Sequence, residues 1–158
     1  MPSFRTSRIV GHTPQQMFDL VADVERYPEF VPLCKALRLR RRSLEAEGVE
    51  ILVAEMQVGY KAIRETFTSR VRLDRPKLEI LVEYLEGPFS NLENTWSFSG
   101  VEGGPQACKV DFFITYAFKS RLLGMLMGSM FDTAFRRFAQ AFEARADEVY
   151  GKKRAMPA

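Results

Sequence analysis

The chain has 158 residues, 23 Lys+Arg against 20 Asp+Glu, and a formal net charge of +3, with 46% of its residues hydrophobic. That size suits one domain able to bury a core, and the composition excludes a disordered chain. The small positive excess permits anionic partners without demanding them, and no DNA partner is expected.

The first strand is predicted at 4–11. Thr13-Pro14-Gln15-Gln16 then starts a helix, because Thr13 can accept from the Gln16 N–H, Gln16 can reach back, and Pro14 sits where its missing N–H costs nothing. Met17, Phe18, Leu20 and Val21 give it a buried face, and it is expected to stop near 23–26, because Pro28 disfavours helix at Tyr27. The segment 27–32, between two prolines, is a short turn or helix. From Cys34 the period switches to two. Strands are expected at 36–44, 49–60, 62–73, 77–85, 92–100 and 107–119, with turns at Glu47-Gly48, near Gly59, at Asp74-Arg75-Pro76 and at Gly103-Gly104-Pro105. Hairpin-length links make the sheet antiparallel and curved.

One long helix is predicted over 120–151, which contains no proline. In 122–131 the only non-apolar residues are Gly124, Gly128 and Ser129, a stretch about half as long as a bilayer span. Farther on, Phe131, Ala134, Phe135, Phe138, Ala141, Phe142 and Val149 recur at three-and-four spacing, opposite Asp132, Arg136, Gln140, Glu143 and Asp147. The sticky first turns need a core, a greasy ligand or a membrane surface. Gly124 and Gly128 fit helix pairing, a mobile gate or plain packing, and Met125, Met127 and Met130 add an adaptable surface. A helix of about 31 residues spans roughly 45 Å. Laid on a curved sheet it cannot fill the interior, so the two layers can enclose a cavity.

Enzyme signatures are missing: there is no GxSxG, HExxH, GxxxxGK[ST] or GxGxxG. His12, the single histidine, reads either as a capping or exposed residue or as a catalytic one. Asp23 and Glu25 read as paired carboxylates or as a solvated helix end. Cys34 and Cys108 are far apart with no CxxC, so free buried thiols are expected, as in a reducing cytoplasm, and no metal site. The opening MPSFRTSRIV lacks the apolar run of a secretory signal. If their neighbours point inward, Glu65 and Asn94 do too, as ligand anchors or as hydrated groups at the sheet edge. Lys35, Arg38, Arg40, Arg41 and Arg42 form a basic run interleaved with Leu37 and Leu39. It suits RNA phosphates or an anionic lipid surface, or it is a solvated face balanced by Glu45, Glu47, Glu50 and Glu55.

Two stretches carry a resemblance. Asp23-Val24-Glu25-Arg26-Tyr27-Pro28-Glu29-Phe30-Val31-Pro32-Leu33-Cys34 follows a DVxxYPxFxPxC pattern, and Gly87-Pro88-Phe89-Ser90-Asn91-Leu92 leading to Trp96-Ser97-Phe98 follows GPFxxLxxxWxF. With Cys108-Lys109-Val110-Asp111-Phe112 and Phe142-Glu143-Ala144-Arg145-Ala146, the chain resembles the coenzyme Q-binding protein and ribosome-association toxin family of the START-like, polyketide cyclase/dehydrase superfamily, from about Arg5 to Tyr150. The resemblance implies an α+β helix-grip fold: a curved antiparallel sheet of about seven strands packed on the long C-terminal helix, with two short helices after the first strand. It implies one lipid-binding domain over 1–151, with 152–158 a basic tail. Relatives often carry a lysine pair just after the GPF; Ser90-Asn91 stand there in this chain, which weakens an anion grip at that loop.

The family further implies a hydrophobic tunnel for ubiquinone or another isoprenoid lipid, bound as a ligand with no other cofactor. Tyr27, Pro28 and Phe30 would lie in a loop at its mouth, and Pro88 and Phe89 in a neighbouring one. The expected lining is Phe67 and Val82 from the middle strands, Trp96, Phe98, Phe112, Ile114 and Tyr116 from the last two, and Met127, Phe131 and Phe135 from the helix. Tyr116 or Asn94 would bond a quinone oxygen. The first functional expectation is a non-catalytic carrier supporting respiration or quinone biosynthesis, cytoplasmic and in peripheral contact with the inner membrane. The second is a regulator that binds the ribosome through the basic strand and tail and blocks subunit association. A cyclase or dehydrase has the least support, since no acid–base pair is identifiable.

Overall fold

The computed structural model describes residues 3–102 and 104–151, so Gly103 and the basic tail at 152–158 lie outside the described residues. Strand β1 (Ser3–Val10) leads to helix α1 (Pro14–Ala22) and a 3-10 turn (Val24–Glu29). Six strands follow: β2 (Cys34–Ala46), β3 (Val49–Tyr60), β4 (Ile63–Asp74), β5 (Glu79–Glu86), β6 (Phe89–Val101) and β7 (Gly104–Phe118). Helix α2 (Arg121–Tyr150) completes the domain. The strands form one antiparallel sheet in the order β1-β7-β6-β5-β4-β3-β2. This is the START-like helix-grip arrangement. Register shifts in β2–β3, β4–β5 and β6–β7 mark bulges, and these bend the sheet around the helix.

The ends of the elements follow from local chemistry. Thr13 and Gln16 form the capping box that the sequence predicts at the head of α1. Ser120 Oγ accepts from the Leu123 N–H at 3.2 Å to start α2, and Gly151 ends it at φ 86°. Strand β5 begins two residues later than expected. The Asp74 carboxylate accepts from the Lys77 N–H at 3.1 Å, and Leu78 turns left-handed at φ 53°, which keeps both residues in the turn. Strand β6 begins three residues earlier than expected. Phe89, expected in a mouth loop, is fully buried; its N–H donates to Tyr84 Oη, and its ring packs on Phe67, Phe118 and Phe131.

Helix α2 is fastened to one flank of the sheet. Arg8 of β1 donates to Glu143 from Nη2 at 2.5 Å and from Nε at 3.2 Å. His12 is neither an exposed nor a capping residue: it is wholly buried between β1 and α1, with Nε2 2.7 Å from Asp147 Oδ1. Its Nδ1 has no partner among the described residues. Phe142 packs on Trp96, Phe138 on Phe112 and Phe135 on Tyr116. Val149, predicted on the buried face, is exposed, because in the last turns Ala146 and Tyr150 are the residues turned toward the core and α1. Cys34 and Cys108 are free and buried, and burial pushes each thiol up to about 11.

The glycines of α2 and of the β5–β6 turn differ in purpose. A Cβ on Gly128 would meet nothing within 4 Å, and one on Gly124 only Phe118 at 3.7 Å. Gly87 sits at φ +143°, where a Cβ would lie 2.9 Å from the Phe67 Cα. We expect Gly128→Ala to raise stability by about 0.5–1 kcal/mol and Gly87→Ala to lower it by about 1–3 kcal/mol in urea unfolding. Shifts of the same sign would contradict this assignment.

Candidate functional site

The site starts from a mismatch of shapes. Helix α2 approaches β7, β1 and α1, while the far half of the curved sheet faces it across a gap. An internal cavity of about 80 Å³ remains there. Phe131, Ala134, Phe135, Phe138 and Phe142 roof it, at the spacing that keeps one helix face turned inward. The floor comes from alternate residues of the strands: Leu37 of β2; Ala54, Met56 and Val58 of β3; Phe67, Ser69 and Val71 of β4; Val82 of β5; Leu92, Asn94 and Trp96 of β6; Ile114 of β7. Val24, Tyr27, Val31, Pro32 and Leu33 close the open side.

The wall is apolar with few polar groups, and the protein uses most of these itself. Asn94 Nδ2 donates to the Phe113 carbonyl at 2.8 Å, and its Oδ1 accepts from Trp96 Nε1 at 3.1 Å. The Tyr27 hydroxyl donates to the Val21 carbonyl, and burial pushes its pKa far up, so it stays protonated. Ser69 adds a buried hydroxyl. Among the described residues no acid–base pair faces the space, and Glu65 is half-buried near the β3–β4 turn rather than on the wall. The chemistry available is burial of a hydrophobic guest.

The closing segment is clamped. Tyr27 and Phe30 meet Phe142 edge-on at 5.3 and 5.0 Å. Arg145 of α2 lies 5.2 Å from the Phe30 ring centroid and donates to Glu29 at 2.6 Å. Leu33 holds a left-handed φ of 67°, a strained conformation for a γ-branched residue.

Of the predicted lining, Phe67, Val82, Asn94, Trp96, Ile114, Phe131 and Phe135 reach the cavity. Phe98, Phe112, Tyr116 and Met127 do not. All four are buried elsewhere: Phe98 meets Phe18 of α1, Phe112 meets Phe138, and Tyr116 meets Phe89 and Phe135. The Tyr116 hydroxyl side borders a separate outer groove between β7 and α2, and burial raises its pKa. Of the mouth-loop residues, Tyr27 lines the space, whereas Pro28 and Phe30 flank it and Pro88 joins the β7–α2 link through its carbonyl. The sequence reading missed the β2–β3 contribution, Leu37, Ala54, Met56 and Val58. Strand parity carried that signal, but Ile51 and Val53 on the other face blurred it.

The basic run divides. A bulge between Leu39 and Arg41 sets Arg38 opposite Glu55 and Arg41 opposite Val53, while Arg42 pairs with buried Leu52. Arg40 lies 3.7 Å from Glu55 and Arg42 3.2 Å from Glu50, two of the balancing acids predicted, whereas Glu45 pairs with Arg72. Among the described residues, Lys35, Arg38 and Arg41 enter no ion pair.

Comparison with known proteins fits this geometry. The sequence profile of the polyketide cyclase/dehydrase and lipid transport family matches residues 10–143. The chain is 32% identical over 152 residues to coenzyme Q-binding protein COQ10 homolog B, mitochondrial, of Xenopus laevis, covering 95% of this chain and 60% of that one. It is 31% identical over 153 residues to ribosome association toxin RatA of Escherichia coli, covering 97% and 92%. The chain thus spans about three-fifths of the frog protein's length. A START superfamily protein from Mycobacterium smegmatis superposes with a TM-score of 0.76 at 17% identity, covering 93% of this chain and 98% of that one, and so shares the fold.

The Asn94 amide is what keeps the Trp96 indole satisfied inside the wall. Asn94→Ala is expected to cost about 1–3 kcal/mol in unfolding free energy. Emission from the single tryptophan should change with it, as the indole N–H loses its partner. An unaltered emission spectrum and unaltered stability would show that this pair is idle.

Proposed function

Because the chain belongs to the polyketide cyclase/dehydrase and lipid transport family, we propose that it binds an isoprenoid lipid, ubiquinone in the first instance, in the cavity beneath α2 and does so without catalysis. The observation that carries this reading is the enclosed wall of aliphatic and aromatic side chains, interrupted only by Ser69, Asn94 and the satisfied polar atoms of Tyr27 and Trp96. The name of the frog relative supports the choice of guest.

The cavity volume sets a condition on this proposal. Drug-sized ligands occupy about 300–1,000 Å³. The 80 Å³ present is too little for a quinone ring and tail, so the wall must open. Release of the 24–33 side from Phe142 and Arg145 would open it, since that side closes the space and these are its contacts to α2. Each buried methylene contributes about 0.8 kcal/mol, so a five-carbon isoprene unit contributes about 4 kcal/mol toward that opening. Affinity should therefore rise with tail length.

Trp96 is the single tryptophan and lies in the wall, so its quenching reports binding. Short-chain ubiquinones are expected to quench it saturably, and Ala134→Phe, which fills the roof, should weaken binding by about tenfold while costing about 1–3 kcal/mol in stability. Prenyl quinone should also be extracted with the protein from its own cells. Failure of wild type to quench at any tail length would end this reading.

A second reading, contact with the ribosome, takes its support from the unpaired charge of Lys35, Arg38 and Arg41 on edge strand β2 and from the name of the Escherichia coli relative. It predicts that Arg38→Glu with Arg41→Glu abolishes co-sedimentation with ribosomal subunits and leaves quinone quenching within twofold of wild type. Loss of neither would leave β2 a solvated edge.

A further inference from the structure

Five exposed large hydrophobic residues gather at one end of the molecule. Leu122, Met125 and Leu126 lie on one face of the first turns of α2 and are 65%, 81% and 54% exposed. Leu85 closes β5 at 52%, and Tyr60 closes β3 at 40%. The antiparallel order brings these ends together: the β3–β4 turn, the β5–β6 turn and the β7–α2 link all lie at the same end of the sheet. Backbone bonds join them to their neighbours, Lys119 N–H to Pro88 carbonyl at 2.9 Å and Gly59 N–H to Leu33 carbonyl at 3.0 Å. The mouth side of the cavity reaches this end too, through Leu33, Val58 and Phe67.

Core packing does not explain residues this exposed, and an apolar surface of this kind marks an interaction site. The charges around it select the partner. Lys35, Lys61, Arg64, Lys119 and Arg121 are exposed at this end, against Glu65 and Glu86. Lys61 Nζ lies 5.4 Å from the Tyr60 ring centroid. Protruding Leu and Met tips from separate turns, ringed by long cationic side chains and one tyrosine, match the plane of a bilayer: apolar tips enter the acyl boundary while ammonium and guanidinium groups meet lipid phosphates.

We propose that this end is the surface by which the domain docks on an anionic phospholipid bilayer, so that the cavity mouth faces the lipid it loads. The inference rests on the lipid-binding reading above and assigns it a docking face. A bilayer suits the patch better than a second copy because exposed cations outnumber acids around it and none of its apolar residues lines the cavity or the β7–α2 groove.

The experiment is co-sedimentation of the full chain with vesicles of phosphatidylcholine containing roughly one-third phosphatidylglycerol, beside pure phosphatidylcholine, at low and high salt. Wild type should prefer the anionic vesicles, and salt should weaken binding. Leu122→Glu with Met125→Glu and Leu126→Glu should reduce partitioning by about tenfold or more. Lys119→Glu with Arg121→Glu should reduce it by about tenfold at low salt and less at high salt. Only Leu122 lies in the first turn of α2, where a glutamate suits the helix dipole, and the three glutamates repel one another, so melting temperature establishes that the triple variant is folded. Trp96 quenching by short-chain ubiquinone should stay within twofold in both variants. Undiminished vesicle binding by the triple variant overturns the proposal. So does a wild-type dimer that the triple variant splits, since a second copy would then cover the patch. Vesicle binding through this patch by a wild type that never quenches keeps the docking surface and overturns the quinone reading.

Discussion

A straight thirty-residue helix can follow a curled sheet along only one flank. In this domain that flank is β1, β7 and α1, where Glu143 takes Arg8, Asp147 takes His12, and Phe138 and Phe142 reach Phe112 and Trp96. Away from it the strands curve from the helix axis, and side chains from both layers leave about 80 Å³ between them. The cavity is therefore no gap in an imperfect core. It is what remains when one flank is fastened and the sheet continues to bend.

The side that closes the cavity is held by modest forces. An edge-on aromatic pair contributes about 0.5–1.5 kcal/mol beyond its area, and an exposed ion pair about 0–1 kcal/mol. Tyr27 and Phe30 on Phe142, with Glu29 on Arg145, thus come to a few kcal/mol. The left-handed Leu33 opposes them by about 1–3 kcal/mol. Burial of a single isoprene unit is of the same size as these contacts to α2, while the Tyr27 bond to Val21, the Gly59–Leu33 backbone bond and the burial of Val24 and Val31 add to the hold. The balance favours a closed wall that a long apolar guest can displace, and the stronger attachment of α2 at Arg8 and His12 keeps the rest of the helix in place.

The remaining surface has its own constraints. Strand β2 is a long edge, and an unpaired edge invites pairing with another chain. Its three register shifts and its run of arginines discourage that, whatever partner they also serve. Part of the basic run is thus accounted for by the sheet itself, through Arg40 on Glu55 and Arg42 on Glu50. The apolar tips of α2 have no such internal account: no neighbour among the described residues covers Met125, and the polar side of the helix begins only after them.

Local rules carried the sequence a long way. The capping box at Thr13, the Ser120 and Gly151 ends of α2, the alternation of β7 and the hairpin links are readable because each depends on residues a few positions apart. They determined the element order and, with the two motifs, the family and its fold. The apolar face of the helix was legible for the same reason, since Phe131, Phe135, Phe138 and Phe142 repeat at helical spacing, though of the roof only Phe131 and Phe135 were expected as lining and Met127 lies outside it. What lay beyond sequence involves residues far apart in the chain. Whether Phe112 or Val82 meets empty space depends on which flank the helix lies on, and no spacing records that. His12 finds Asp147 across 135 positions, and Asn94 spends its amide on Trp96 and Phe113 only because β6 and β7 meet in this register. Phe89 became core rather than loop through rings from β4, β7 and α2. Periodicity tells which side of an element is apolar; only the packing of helix against bent sheet decides which of those side chains touch one another and which are left facing the hollow.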